Sequence, residues 1–208
     1  MPQQKSHGAW PYWLPYFGFF CVIGVLTRIP DSMVPSCLAA KVAVPMGLLL
    51  YFGIRRCYPE LCTYRASASG VTLDVLVGIA GAVLWMAPYL LFDSFASLIP
   101  STDQGFDVQQ IGASSGWLAL SLRVIGFGLV TPFMEELFVR SWLQRYADVF
   151  DKMADFRDVS IAHFSSWSFV LVIVWFTFSH QSWEWPVATA WLIMTQFWFY
   201  HRKNLMAL

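Results

Sequence analysis

Six apolar runs follow one another along the chain, at about 12–29, 34–54, 73–92, 117–146, 161–181 and 185–200. A bilayer's hydrocarbon core is about 30 Å thick and takes about 20 helical residues to cross. In lipid each such segment must satisfy its own backbone polar groups, so the pattern predicts an all-α, polytopic membrane bundle of about six helices. Composition agrees. Of 208 residues 57% are hydrophobic and 12% charged, with mean hydropathy +0.53, against about 25% charged residues in soluble domains. Thirteen basic residues balance thirteen acidic ones, so no basic surface points to nucleic acid.

The first run lacks a small-residue cleavage pattern and reads as an uncleaved span, ended by Pro30 and Asp31. The second tolerates Lys41 near its start, where a long side chain can reach the interface, and stops at Arg55 and Arg56. Residues 57–70 read as a loop. The third run contains Pro88, a kink site. Residues 93–115, with no Lys or Arg, read as an exposed acidic loop. The fourth run, roughly 45 Å long as a helix, should tilt, protrude or break near Gly126, Gly128 and Pro132. A mixed-charge connection over 147–160 precedes the last two runs, which a tight turn through Ser182 and Glu184 separates.

Cys21, Cys37, Cys57 and Cys62 follow no metal-ligand spacing and read as small apolar fillers. Arg55, Arg56 and Arg65, then Arg145, Lys152 and Arg157, then Arg202 and Lys203 fall on one side of the membrane, with little besides Arg28 opposite. The positive-inside bias places both termini in the cytoplasm. One transmembrane domain over 1–208 is expected.

The fourth run carries Thr131, Pro132, Phe133, Met134, Glu135, Glu136, Leu137, Phe138, Val139 and Arg140. Each ionised side chain at the bilayer centre costs about 2.5–3.5 kcal/mol on insertion scales, which makes such residues functional candidates. On an α-helix Glu136 and Arg140 share a face and can neutralise each other. Glu135, rotated about 100° away, needs another partner, and burial would raise its carboxyl towards proton exchange at neutral pH. His180 lies within the apolar part of the fifth run, with Phe176 one turn earlier. A glutamate and a histidine on neighbouring helices can position and deprotonate a water, or hold a metal between them. Structural readings compete: a backbone-bonded histidine, or a Glu–Arg pair that locks helices or lines an ion path.

EExxxR at Glu135, Glu136 and Arg140, followed by FxxxH at Phe176 and His180, resembles the CAAX protease and bacteriocin-processing family, the type II CAAX prenyl endopeptidase-like intramembrane proteases. Residues 126–207, with FSHQSWEW and the HRKNLMA tail, resemble its exosortase-associated bacterial branch. The resemblance implies a peptidase of the bacterial inner membrane that cleaves a membrane-associated or prenylated-type protein. Glu135 would be the general base, His180 its partner, Glu136 and Arg140 the supporting pair, and Phe176 a substrate contact. Whether a divalent metal such as zinc, held by Glu135 and His180, takes part stays open, as does the oligomeric state. The family's further motif, a histidine or asparagine followed four residues later by asparagine, lies on a last helix that this chain is expected to lack. His201 and Asn204 are three apart and do not match it.

Two other functions fit the same residues: a membrane scaffold or chaperone of this fold associated with protein sorting, and a transporter. The transporter reading is weakened by the absence of a second copy of the Glu–Arg helix. Helix lengths also pose a problem of depth, since Glu135 and His180 meet only if the fifth helix begins near Ile161 or the fourth is broken above Pro132.

Overall fold

The computed structural model describes residues 8–26, 34–64, 67–100, 113–152 and 154–208. The described residues form helices and turns, with no strand among them. They are α1 (Trp10–Leu26), α2 (Val34–Ile54), α3 (Ala68–Leu91), the short α4 (Asp93–Ala96), α5 (Ala113–Ile125), α6 (Thr131–Glu135), α7 (Gln144–Ala147), α8 (Ser166–Phe178) and α9 (Trp185–Arg202). The predicted loop residues 101–112, together with Arg28, Asp31 and Arg65, lie outside the described residues.

Segments α5, α6 and α7 belong to one continuous helix, joined by π-helical stretches over Gly126–Val130 and Glu136–Leu143. The first π stretch has a clear cause. Pro132 has no N–H to give the ladder, and just before it the Thr131 N–H reaches back five residues to the Gly126 carbonyl. In the second, the Arg145 side chain donates from Nε to the Ser141 carbonyl, drawing an acceptor out of the ordinary i→i−4 pattern.

The chain divides into two compact units, Met1–Pro59 with Phe106–Phe138 and Glu60–Gly105 with Val139–Leu208. In the first, α1 packs on α2, and Gly18 lets Leu48 and Val44 approach. The Tyr58 hydroxyl donates to the Pro11 carbonyl at 2.6 Å, and Tyr12 donates to that of Cys57 at 3.2 Å. Tyr16 stacks on Phe138 with ring centroids 4.0 Å apart.

In the second unit α9 packs against both α3 and α8. Helix α3 starts at Ala68, five residues before the expected Leu73, because Ser67 caps it by accepting from the Gly70 N–H at 3.1 Å. Helix α8 starts at Ser166 rather than near Ile161. Ser165 caps it, accepting from the Ser168 N–H at 3.1 Å.

Two helices among the described residues are long and apolar enough to cross a membrane, Ala68–Leu91 and Gly116–Ala147. Only 11% of the most apolar stretch of Ala68–Leu91 is buried, and Leu73, Val75, Leu76, Ile79 and Val83 are exposed along it. A core helix of a water-soluble domain would hide these residues. Their exposure suits a lipid-facing surface, and the protein is an all-helical bundle of membrane type.

Candidate active site

The two glutamates close α6 and open the second π stretch, and both are half-buried. A π turn bonds i to i+5, so the one-turn spacing that put Glu136 and Arg140 on one α-helical face does not carry over unchanged into residues 136–143. Glu135 and Glu136 belong to the first unit, and Arg140, Phe176 and His180 to the second.

Arg140 is 1% exposed. Its Nε donates to Gln196 Oε1 at 3.0 Å, and a terminal nitrogen donates to Thr195 Oγ1 at 2.6 Å. The rings of Trp191 and Phe199 lie 6.0 Å from the guanidinium. Gln196 donates in turn to Gln144 Oε1 at 2.7 Å. The Gln144 amide nitrogen reaches the Tyr200 hydroxyl at 3.1 Å and the His163 carbonyl at 3.2 Å. Arg140 thus sits at the head of a buried polar chain. That is how an apolar helix pair accommodates a cation.

His180 lies two residues past the end of α8. Its Nδ1 is 2.7 Å from the Phe176 carbonyl oxygen, one of the orphan carbonyls a helix terminus leaves. A carbonyl only accepts, so Nδ1 carries the hydrogen and the neutral ring's lone pair is on Nε2. Nε2 has no hydrogen-bond partner among the described residues. The ring lies 4.4 Å from that of Phe176 and 5.4 Å from that of Trp85, and Phe176 stacks on Trp191 at 5.5 Å. Phe176 is 5% exposed. Its ring therefore backs the imidazole rather than facing open space.

No group of three or more His, Cys, Asp or Glu among the described residues is arranged to hold a metal ion.

Sequence reasoning passed over Gln144, Thr195, Gln196, Glu60 and Asp74. Glu60 is 5% exposed, accepts from Ser141 and pairs with Arg145 at 3.4 Å. Asp74 accepts from Arg202 twice at 2.9 Å, from Tyr64 at 3.0 Å and from Trp198 at 3.1 Å. Neutral polar side chains inside an apolar run, as at Thr195 and Gln196, were the available signal.

The tail does not present His201 and Asn204 as a pair. Asn204 Oδ1 accepts from the Met206 N–H at 2.9 Å and caps a 3-10 turn, while His201 lies against Trp198.

No curated protein and no solved structure matches the chain. Residues 117–208, a little under half of the chain and the part that holds Glu135, Glu136, Arg140, Phe176 and His180, match the family model described as type II CAAX prenyl endopeptidase Rce1-like, which supports a membrane peptidase of the CAAX type at the level of the family.

Proposed function

We propose that the chain is an intramembrane endopeptidase of the bacterial inner membrane, with both termini cytoplasmic, acting on a membrane-associated or prenylated-type protein. Within that family we place it in the exosortase-associated branch, on the FSHQSWEW segment and the basic tail.

The observation that supports the reading is the bond from His180 Nδ1 to the Phe176 carbonyl, which a purely structural histidine would also make but which leaves Nε2 over for chemistry. With Nδ1–H committed to the Phe176 carbonyl, Nε2 is free to accept a hydrogen bond from water. In this reading Glu135 takes the water's proton as its oxygen attacks the peptide carbonyl carbon, and that proton then passes to the leaving amine. Glu136 and Arg140 support the base, and Phe176 positions the imidazole. Oxyanion donors are also required. The resemblance assigns them to the family's further motif.

The test is cleavage of a tagged, prenylated peptide by the protein reconstituted in vesicles. Glu135→Gln should abolish cleavage; a variant that cleaves as well as the parent removes Glu135 from the mechanism. The clamping of Arg140 by Gln196 and Thr195 favours a second reading, a scaffold in which the charge holds helices together. That reading requires a partner that co-purifies equally well with Glu135→Ala.

A further inference from the structure

The first unit contains a cavity of about 90 Å³ between α1, α2 and the long helix, lined among others by Phe19, Lys41, Val42, Arg123, Phe127 and Val130. Its walls are mainly apolar, yet two cations open onto it. The Lys41 ammonium lies 4.9 Å from the Phe19 ring centre and 5.3 Å from that of Phe127. Lys41 and Arg123 are both half-buried, and among the described residues neither pairs with a carboxylate. Aromatic faces attract a cation but carry no net charge, so the two positive groups repel each other across a small space.

Sequence reasoning gave Lys41 the lesser task of reaching the interface. The structure turns it inward, about 10 Å along α2 from Val34, towards the arginine of another helix. Charges held in an apolar setting are ordinarily paired, and this pair of cations has room for a third party. A cavity of this size takes several water-sized groups. That is enough for a phosphate and the polar atoms next to it, though not for a whole lipid. On the same helices Val44, Val124 and Leu129 are exposed, as is part of Phe127 itself, and they offer apolar surface for acyl chains.

We propose that this cavity binds the phosphate headgroup of an anionic phospholipid, with Lys41 and Arg123 as its counter-charges and the chains lying along the exposed faces of α2 and the long helix. Charge complementarity selects the anion. The apolar rim selects a lipid over a free ion. The proposal rests on the chain's being a membrane protein and not on its peptidase chemistry, and neither cation belongs to the proposed catalytic set, so either idea can fail alone.

The experiment measures binding to the delipidated full chain in detergent by native mass spectrometry and thermal shift. The probes are phosphatidylglycerol, phosphatidylcholine and inorganic phosphate. The expected result is saturable binding of phosphatidylglycerol that stabilises the protein, little effect of the other two, and about tenfold or more weaker binding by Lys41→Gln/Arg123→Gln. The charge-keeping Lys41→Arg/Arg123→Lys should bind nearly as the parent does, which separates lost charge from lost fold. Equal binding by the neutralised variant, or equal stabilisation by phosphatidylcholine, overturns the proposal. Stabilisation by inorganic phosphate as strong as that by phosphatidylglycerol overturns the lipid assignment.

Discussion

The imidazole of His180 is tied at Nδ1 to the carbonyl oxygen of Phe176, 2.7 Å away and four residues earlier. One bond caps the end of α8 and fixes the proton on the nitrogen that faces the helix. Asparagine can keep the first job, since its amide nitrogen lies close to the position of Nδ1, but it has nothing in place of Nε2. His180→Asn should therefore fold with near-parent thermal stability while peptide cleavage falls by about 10²–10⁴, the usual range for loss of an acid–base group. Cleavage within twofold of the parent would show that Nε2 is not used.

The ring set behind His180 depends on a glycine one helix away. A Cβ at Gly81 of α3 would come 2.8 Å from Trp191 Nε1. Trp191 stacks on Phe176 and meets Trp85 edge-on at 5.9 Å, and both Phe176 and Trp85 contact the imidazole. Gly81→Ala should then cost about 1–3 kcal/mol, the range for overpacking, and lower activity as well. Unchanged unfolding in a graded denaturant series would mean that α3 and α9 separate freely at this level.

Periodicity and hydropathy made the helices legible, because lipid leaves the backbone few alternatives. Boundaries were less so. Ser67 and Ser165 are ordinary capping residues, but they sit next to polar stretches in which several serines and a threonine compete for that role. The π stretches were only partly visible. Gly126, Gly128 and Pro132 marked a weak point in the ladder, whereas residues 136–143 hold no glycine or proline and owe their irregularity in part to Arg145. Glu60 was hidden for a different reason. Its partner Arg145 is 85 residues away, and nothing in the local pattern of residues 57–70 distinguishes a buried carboxylate from a solvated one. The EExxxR and FxxxH motifs were readable as chemistry. The amides that surround Arg140 were not, since Gln196 and Gln144 gain their meaning only when α9 packs.

Gln196 is fully buried between Arg140 and Gln144. Gln196→Leu keeps most of the volume but takes one acceptor from a cation that water cannot reach. Hydrogen bonds to charged groups contribute about 1.5–3 kcal/mol, so the variant should lose stability in that range, by thermal or detergent unfolding. A variant as stable as the parent would show that the remaining contacts of Arg140 suffice.

Arg202 grips Asp74 with Nε and a terminal nitrogen, both at 2.9 Å, and so joins the end of α9 to the start of α3. The guanidinium is also close to Gly70, where an added Cβ would lie 2.8 Å from it. Both side chains keep some solvent access, at 23% and 12%, which screens the charge and places the pair below a fully buried bridge. A two-pronged bond with additional donors from Tyr64 and Trp198 nevertheless exceeds a single surface contact. A double-mutant cycle with Asp74→Asn and Arg202→Gln should give a favourable, measurable coupling, as residues in direct contact do. That coupling should shrink as salt is raised, because part of it is screened charge. Additive single effects would instead assign the cohesion of α3 and α9 to the close packing of Gly81 against Trp191.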